Sequence, residues 1–196
     1  MSKRGRLFVL SAPSGSGKTT MLWALLSKDR NRVRSVSATT RPPRAGERNG
    51  KDYIFLSQAQ FRRGIAQGKF LEYARVLRNW YGTPKGPIEK ALKAGKDVLL
   101  GIDIQGARQI RRGHLPATTV FLLPPSLKVL RQRLLRRATE TPAQIRERLR
   151  LARKELKEVE KYDYAVVNDR LPEAVAAVEA ILRAEHHRVE KKRGNS

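Results

Sequence analysis

The distribution of hydrophobic residues along the chain predicts strands that alternate with helices. Apolar residues are nearly continuous at positions 7–11, 97–103, 118–123 and 164–167, a pattern typical of strands that are buried on both faces. Between these runs the apolar residues recur at helical spacing. The alternation predicts an α/β fold in which helices cover both faces of a parallel sheet.

Capping residues and helical spacing predict where the helices lie. Thr141, Pro142 and Gln144 form a helix-start signature, with Thr as N-cap, Pro in the first turn and Gln three residues on. A stretch rich in Arg, Pro, Gly and Thr predicts loops and short strands at 35–53, and a further strand is expected at 70–73. The other predicted helices cover 18–27, 58–66, 85–94, 127–134 and 172–184.

Composition narrows the chemistry that the chain can perform. Its 196 residues suffice for one α/β domain. The sequence has no cysteine, which excludes a disulfide framework, a thiolate metal site and a cysteine nucleophile. It has 3 histidines, two of them in a polar segment at 186–187, so a histidine metal cluster is not expected. Without a secretory signal or a long apolar stretch, we expect a cytoplasmic protein with no membrane partner.

The net charge of +24, from 42 Lys and Arg against 18 Asp and Glu, leaves three interpretations open. The charge suits nucleic-acid binding, the handling of polyanionic nucleotides, or a general bias spread over solvated faces. Basic residues occur nearly everywhere, without the interleaved aromatic residues that a single-strand binder uses. We therefore expect no specific nucleic-acid partner, only weak, salt-sensitive adherence to RNA.

A glycine-rich segment lies between the first predicted strand and the first predicted helix. It follows G-x-x-x-x-G-K-[ST], except that Ala12 takes the first glycine position. In this context small residues let successive backbone N–H groups turn toward one phosphate, and the helix start adds its positive dipole end. Lys18 can reach the terminal phosphates of a nucleotide, and the Thr19 hydroxyl can bind Mg²⁺. The alternative is a turn that happens to contain Gly-Lys-Thr.

A second signal is a proline-stiffened segment at 37–47 that carries Arg41 and Arg44, with hydroxyl residues before them. Arginine binds phosphate through two parallel hydrogen bonds and stays charged at any working pH. The segment is therefore a candidate phosphate clamp, and a solvated basic loop is the alternative.

These segments, with several others, resemble guanylate kinases in their order and spacing over residues 5–188. The other matching segments are 49–53, 70–73, 79–83, 102–107, 124–126, 133–140 and 167–169. The resemblance implies an α/β P-loop nucleoside monophosphate kinase fold. It also implies a parallel-sheet core (5–34, 85–127 and 159–188), a small mixed β subdomain that binds GMP (35–84), a helical lid (128–158) and a polar tail (189–196).

The resemblance also implies which residues bind the acceptor nucleotide, GMP or dGMP. The residues expected at its phosphate are Ser37, Arg41, Arg44, Tyr53 and Tyr81. Those expected at the guanine edge are Glu72, Thr83 and Asp103. Guanine offers N1–H and an exocyclic amine as donors, so an acceptor-only carboxylate is a suitable partner, whereas adenine would leave it unpaired.

The donor, by the same resemblance, is ATP with Mg²⁺. The residues expected to bind ATP are Ala12, Pro13, Ser14, Gly15, Ser16, Gly17, Lys18, Thr19 and Thr20 of the glycine-rich loop, with Arg133, Arg137 and Asn168, the last near the adenine. Catalysis is assigned to Lys18, Arg41, Arg137 and Arg148, and Mg²⁺ to Thr19 and Asp103. The expected assembly is a monomer or a homodimer.

One position departs from the guanylate kinase pattern. Gly101 stands where these enzymes usually carry Asp, and on a strand it would share a face with Asp103. The expectation is weakened metal handling or a slower chemical step rather than lost GMP binding. Two other functions stay possible. One is a binding module that has lost catalysis. The other is a related phosphotransferase for phosphorylated sugars, and Glu72 and Thr83 argue against this second alternative.

Overall fold

The structure is a computed structural model that describes residues 4–76, 78–136 and 141–189. Its strands are β1 (Leu7–Ser11), β2 (Arg32–Arg34), β3 (Ala38–Thr39), β4 (Ile54–Phe55), β5 (Phe70–Val76), β6 (Asn79–Pro84), β7 (Asp97–Gly101), β8 (Thr118–Leu123) and β9 (Tyr164–Val167). Its helices are α1 (Lys18–Lys28), α2 (Gln58–Ala66), α3 (Lys85–Lys93), α4 (Ile104–Arg112), α5 (Leu127–Arg136), α6 (Pro142–Leu156) and α7 (Leu171–His186), and a 3₁₀ turn covers Val159–Lys161.

Five parallel strands form the central sheet in the order β2-β7-β1-β8-β9. Alternate residues of β1 point to opposite faces, so Phe8 and Leu10 pack with α1 and α7 while Leu7 and Val9 pack with α3 and α4. Both faces are thus buried, and this confirms the predicted α/β class. The central position of β1 places the glycine-rich loop at the middle of the sheet's carboxyl edge.

The second sheet is mixed and has the order β4-β3-β6-β5. β3 runs parallel to β4, while β6 is antiparallel to both β3 and β5. Behind it lies α2, whose buried Phe61 stacks on Phe70 with ring centroids 4.4 Å apart. Hydrophobic packing of this kind holds β5 and β6 together, and these strands carry the candidate acceptor site.

Helices α5 and α6 pack on each other through a small apolar cluster that includes Leu130, Leu134, Ile145 and Ala152. The predicted start of α6 is confirmed, because the Thr141 hydroxyl accepts from the Gln144 N–H and the Gln144 side chain accepts from the Thr141 N–H.

In the part of the chain that the structure describes, no helix is long and apolar enough to cross a membrane.

The strand predicted at 97–103 is two residues too long. β7 ends at Gly101, and Asp103 is the N-cap of α4, where its Oδ1 accepts the Gly106 N–H at 2.8 Å. The side-chain cap begins the helix there although the apolar run continues to the buried Ile102. Asp103 is therefore a helix-capping residue beyond the end of β7, and its sharing a face with residue 101 stays a prediction.

Candidate active site

The glycine-rich loop joins β1 to α1 in the conformation that its glycines require. Gly15 and Gly17 have φ values of 96° and 86°, a left-handed backbone that favours glycine. A β-carbon on Gly15 would lie 2.9 Å from Leu134 of α5, and one on Gly17 would lie 2.6 Å from the Asn168 amide nitrogen. The loop is therefore wedged between α5 and the segment that follows β9, with little room for side chains.

Lys18, the first residue of α1, points its ammonium across the sheet edge. Its Nζ donates to the carbonyl oxygen of Ile102 at 2.6 Å, just beyond the end of β7. Burial lowers the pKa of Lys18, and the charges of Asp103, Glu155 and Glu72 oppose that shift. The ammonium thus lies in a half-buried setting, near carboxylates from three different segments.

Thr19 and Thr20 follow in the first turn of α1 with exposed side chains, whereas Ala12, Pro13 and Ser16 are buried. The hydroxyl oxygen of Ser16 is buried without a hydrogen-bond partner among the described residues. The loop therefore presents an open edge at Thr19 and an unpaired polar atom inside.

The arginine segment at 37–47 is the part of the candidate acceptor site that is expected to bind phosphate. The Arg41 guanidinium lies over the rings of Tyr53 and Phe55, at 5.4 Å and 5.9 Å. Tyr53 and Tyr81 meet edge to face with centroids 6.1 Å apart. The structure thus brings Arg41, Tyr53 and Tyr81 together, as predicted, although their roles toward a ligand stay predictions.

Two more residues assigned to the phosphate border this cluster. Arg44 is exposed three residues after Arg41, and Ser37 is half-buried directly before β3. The Ser37 carbonyl accepts the Ile54 N–H at 2.9 Å, which ties the start of β3 to β4. Their side chains remain candidates for phosphate binding.

Glu72 and Thr83 face each other across β5 and β6. They are paired in the strand register, and the Thr83 hydroxyl donates to Glu72 Oε1 at 2.5 Å. Glu72 is only 5% exposed, and burial raises its pKa to about 7 in spite of the hydrogen bond from Thr83. A buried carboxyl held by one hydroxyl suits a partner that donates further hydrogen bonds.

Asp103 connects the two halves of the site. One of its oxygens caps α4, and its charge acts on both Lys18 and Glu72. The carboxylate is therefore fixed between the glycine-rich loop and the pair on β5 and β6, which is compatible with both predicted roles, at the guanine and at the metal.

Residues of α5 and α6 reach the loop from the other side. Arg148 donates to the hydroxyl of Ser14.

A second set of contacts supports the loop from the segment after β9. Arg133 donates to the carbonyls of Asn168 and Asp169 at 3.0 Å and 3.2 Å. The buried amide of Asn168 in turn donates to the Ser16 carbonyl at 2.7 Å. Arg133 and Asn168 thus brace the loop, and the expected adenine contact of Asn168 stays a prediction. Arg137 lies outside the described residues.

Sequence reasoning missed three residues that shape the site. Glu47 forms an ion pair with Arg41, Glu155 lies where its charge raises the pKa of Lys18, and Gly106 packs closely against Glu72. Helical periodicity contained a signal for Glu155, because it follows Arg148 by seven residues and so lies on the same face of α6. No local pattern pointed to the approach of Gly106 to Glu72, which depends on how α4 packs against β5.

Comparison with known proteins agrees with this geometry. A family model for guanylate kinase matches residues 4–185. The chain is 48% identical over 194 residues to a guanylate kinase of Clostridium perfringens (strain SM101 / Type A), covering 99% of this chain and 90% of the relative. It is 45% identical to a guanylate kinase of Paramagnetospirillum magneticum, covering 99% and 91% of the two chains. The crystal structure of guanylate kinase from Anaplasma phagocytophilum superposes with a TM-score of 0.78 at 36% identity, covering 96% of this chain and 89% of that chain.

Proposed function

This chain belongs to the guanylate kinase family, and we propose that it transfers the γ-phosphoryl group of ATP to GMP, giving ADP and GDP. The observation that carries the proposal is that one short segment contacts both halves of the site: Lys18 donates to the Ile102 carbonyl at 2.6 Å, and Gly106, four residues later, packs against Glu72. The ammonium of the glycine-rich loop and the buried carboxyl of the second sheet therefore belong to one site. The arrangement favours a kinase over a binding module or a sugar-phosphate phosphotransferase.

On the donor side, the loop at residues 12–20 binds the ATP phosphates through backbone N–H groups at the start of α1, to which Pro13 contributes none. Lys18 leaves the Ile102 carbonyl for the terminal phosphates, where its charge offsets the negative charge of the transferring group. Arg148, already beside Ser14, contributes further positive charge from α6, together with Arg137. Arg133 and Asn168 hold the loop in shape and border the nucleoside of ATP.

On the acceptor side, Ser37, Arg41, Arg44, Tyr53 and Tyr81 bind the phosphate of GMP or dGMP. Glu72, Thr83 and Asp103 bind the guanine edge, with the Glu72 carboxylate accepting from N1–H and the exocyclic amine. AMP, which lacks this donor pair, would leave a buried carboxylate unpaired and be rejected. Specificity for the base therefore rests on β5, β6 and the start of α4.

The chemical step needs no general base. An oxygen of the GMP phosphate, already an anion, forms the new bond to the γ-phosphorus while the bond to the ADP oxygen breaks. The protein contributes alignment and charge neutralisation. We propose that residues 128–158 act as a lid, whose closure excludes water from the transferring group.

The residues present fit a Mg²⁺ ion. Thr19 exposes a hydroxyl in the first turn of α1, and Asp103 supplies a fixed carboxylate, both oxygen donors that Mg²⁺ prefers. Among the described residues no group of three or more His, Cys, Asp or Glu could hold a metal by itself. This suits an ion held by one or two side chains, water and nucleotide phosphates. Bound there, Mg²⁺ would neutralise charge on the phosphates of ATP.

The test is ADP formation from ATP and Mg²⁺ with GMP, dGMP, AMP, CMP or UMP as acceptor. We expect turnover with GMP and dGMP and little with the other nucleotides. The Lys18→Met variant should bind GMP but lose turnover by about 10³-fold. Tight GMP binding without turnover in the unaltered protein would support the binding module instead. Turnover that does not depend on the acceptor would contradict the proposal.

A further inference from the structure

We propose that Glu47 is a positioning residue for GMP, whose carboxylate arranges the phosphate-binding groups of Arg41 and Arg44 before the nucleotide arrives. The inference rests on the proposed function, in which these two arginines bind the GMP phosphate. It extends that function to a residue with no assigned role and predicts an effect confined to the phosphate end of the substrate.

The Glu47 carboxylate fastens both ends of the turn that carries the two arginines. Nη2 of Arg41 donates to Oε1 and Oε2 of Glu47 at 2.8 Å and 2.9 Å. The backbone N–H of Arg44 donates to Oε2 at 2.7 Å, and the N–H of Glu47 donates back to the Arg44 carbonyl at 3.0 Å. One side chain therefore sets the orientation of the Arg41 guanidinium and the path of the backbone at Arg44.

The surroundings of Arg41 complete this arrangement. Its Nη1 donates to the Pro42 carbonyl at 2.6 Å, and the guanidinium is stacked over the Tyr53 ring. In the pair, the side chains of Arg41 and Glu47 are 13% and 21% exposed. The hydrogen bond between them raises the pKa of Arg41 and lowers that of Glu47, so both stay charged at neutral pH. A long, rotamer-rich side chain is thus held in one orientation by contacts within the protein.

The pair leaves the guanidinium able to bind phosphate. Arginine has five N–H groups in a fixed fork, and the contacts to Glu47 and Pro42 use only part of them. A group that is already oriented loses less conformational entropy when it binds, which improves affinity for the ligand. The opposite possibility is that Glu47 competes with the phosphate for Arg41. The two possibilities predict opposite changes in the KM for GMP.

The experiment compares Glu47→Gln with the unaltered enzyme in steady-state kinetics. Glutamine keeps the size of the side chain and removes its charge, so we expect the KM for GMP to rise about tenfold. The KM for ATP and the kcat at saturating GMP should stay within about twofold. The inhibition constant of guanosine, which has the base and no phosphate, should also be unchanged.

The matched control is Glu173→Gln in the first turn of α7, which removes the carboxylate of an exposed ion pair with Arg170. It corrects for the general effect of one lost negative charge and should leave every constant unchanged. Glu47→Asp gives a second test, since its shorter side chain withdraws the carboxylate from Arg41 while keeping the charge. Glu47→Asp should also raise the KM for GMP without changing guanosine binding. It provides the test of the inference if Glu47→Gln does not fold.

An unchanged or lower KM for GMP in both Glu47 variants would overturn the inference, the lower value by showing competition with phosphate. An equal loss of guanosine affinity would overturn it too, because the change would then be a general distortion. Arg41→Gln separates this inference from the proposed function. If it leaves the KM for GMP unchanged, the phosphate role of Arg41 is itself wrong. If it raises that KM while the Glu47 variants do not, only the inference about Glu47 fails.

Discussion

Gly106 and Glu72 approach so closely that a β-carbon on Gly106 would lie 2.5 Å from Oε2 of Glu72. The first turn of α4 thus forms one wall of the pocket that holds the buried carboxyl. Because Thr83 holds the other oxygen of Glu72, the carboxyl has little freedom to move away from an added methyl group. Gly106 therefore limits where the carboxyl of Glu72, which we propose binds guanine, can lie.

We expect Gly106→Ala to raise the KM for GMP about tenfold by displacing Glu72, while the KM for ATP changes little. The control is Gly86→Ala on α3, where an added β-carbon would have nothing within 4 Å. Steady-state kinetics with each nucleotide varied in turn gives the comparison. Equal behaviour of the two alanine variants would show that the contact with Gly106 does not position Glu72.

The raised pKa of Glu72 predicts that the stability of the protein depends on pH. A carboxyl with a higher pKa in the folded chain holds its proton more tightly there, so the free energy of unfolding falls as pH rises from 4.5 to about 7. The shift corresponds to about 3 kcal/mol. Glu72→Gln removes this titration, so its stability relative to the unaltered protein should rise between pH 5 and pH 8. Urea unfolding at both pH values measures the change, and a constant difference would contradict it.

The binding of guanine should also depend on the ionisation of Glu72. Here a higher pH is expected to strengthen the interaction, whereas it lowers the stability of the fold. Ionised Glu72 accepts hydrogen bonds from guanine better than the protonated acid does, so affinity for guanosine should increase as pH rises through about 7. Guanosine is the proper probe, because the phosphate of GMP itself titrates near this range. Calorimetry from pH 6 to pH 8 tests the trend, with Glu72→Gln as the variant expected to show none.

Asn168→Asp is expected to weaken ATP binding through the glycine-rich loop. The substitution places a carboxylate oxygen against the Ser16 carbonyl that now accepts from the amide at 2.7 Å. We expect the KM for ATP to rise about tenfold and the melting temperature to fall by several degrees, with little change in the KM for GMP. Asp169→Asn is the matched control on the exposed neighbouring residue. A higher KM for GMP alone would contradict the assigned role.

The sequence suggested that Gly101, in place of the usual Asp, weakens metal handling or slows the chemical step. The structure adds a steric contact at this position that the sequence did not reveal. A β-carbon at Gly101 would overlap Cδ1 of Leu22 on α1, so Gly101→Asp must displace the end of this buried side chain. We expect the variant to be less stable by about 1–3 kcal/mol. In a Leu22→Ala background, Gly101→Asp should lower the free energy of unfolding by less than it does in the unaltered protein. Urea unfolding of both single variants and the double variant measures this coupling, and strict additivity would exclude the steric effect.

The mechanistic part of the Gly101 hypothesis is tested separately. If the missing carboxylate limits catalysis, Gly101→Asp in the Leu22→Ala background should raise kcat or lower the Mg²⁺ concentration needed for half-maximal turnover. Leu22→Ala alone is the reference for that comparison. An unchanged kcat and Mg²⁺ dependence would show that the site works without a carboxylate at this position.

The fold was predictable from the chain to the extent that local pattern determines it. Continuous apolar runs gave β1 and β8, and the capping residues gave the start of α6. β6 was not predicted, because its Gly and Pro obscure the strand pattern, and α4 was not predicted either, because its start depends on the Asp103 cap that the sequence pattern assigned to a strand. In both cases pairing and capping by neighbouring segments outweighed the local preference.

The sequence by itself determined the glycine-rich loop and the types of residue at the site, because a strand, a turn rich in glycine and a helix start are built from neighbouring residues. Only the tertiary structure decided how those residues meet. Lys18 reaches Ile102, Asn168 holds Ser16 and Gly106 confines Glu72 through contacts between segments far apart in the chain. Such contacts follow from the order of the strands and the packing of helices on the sheet, which no local spacing of residues encodes.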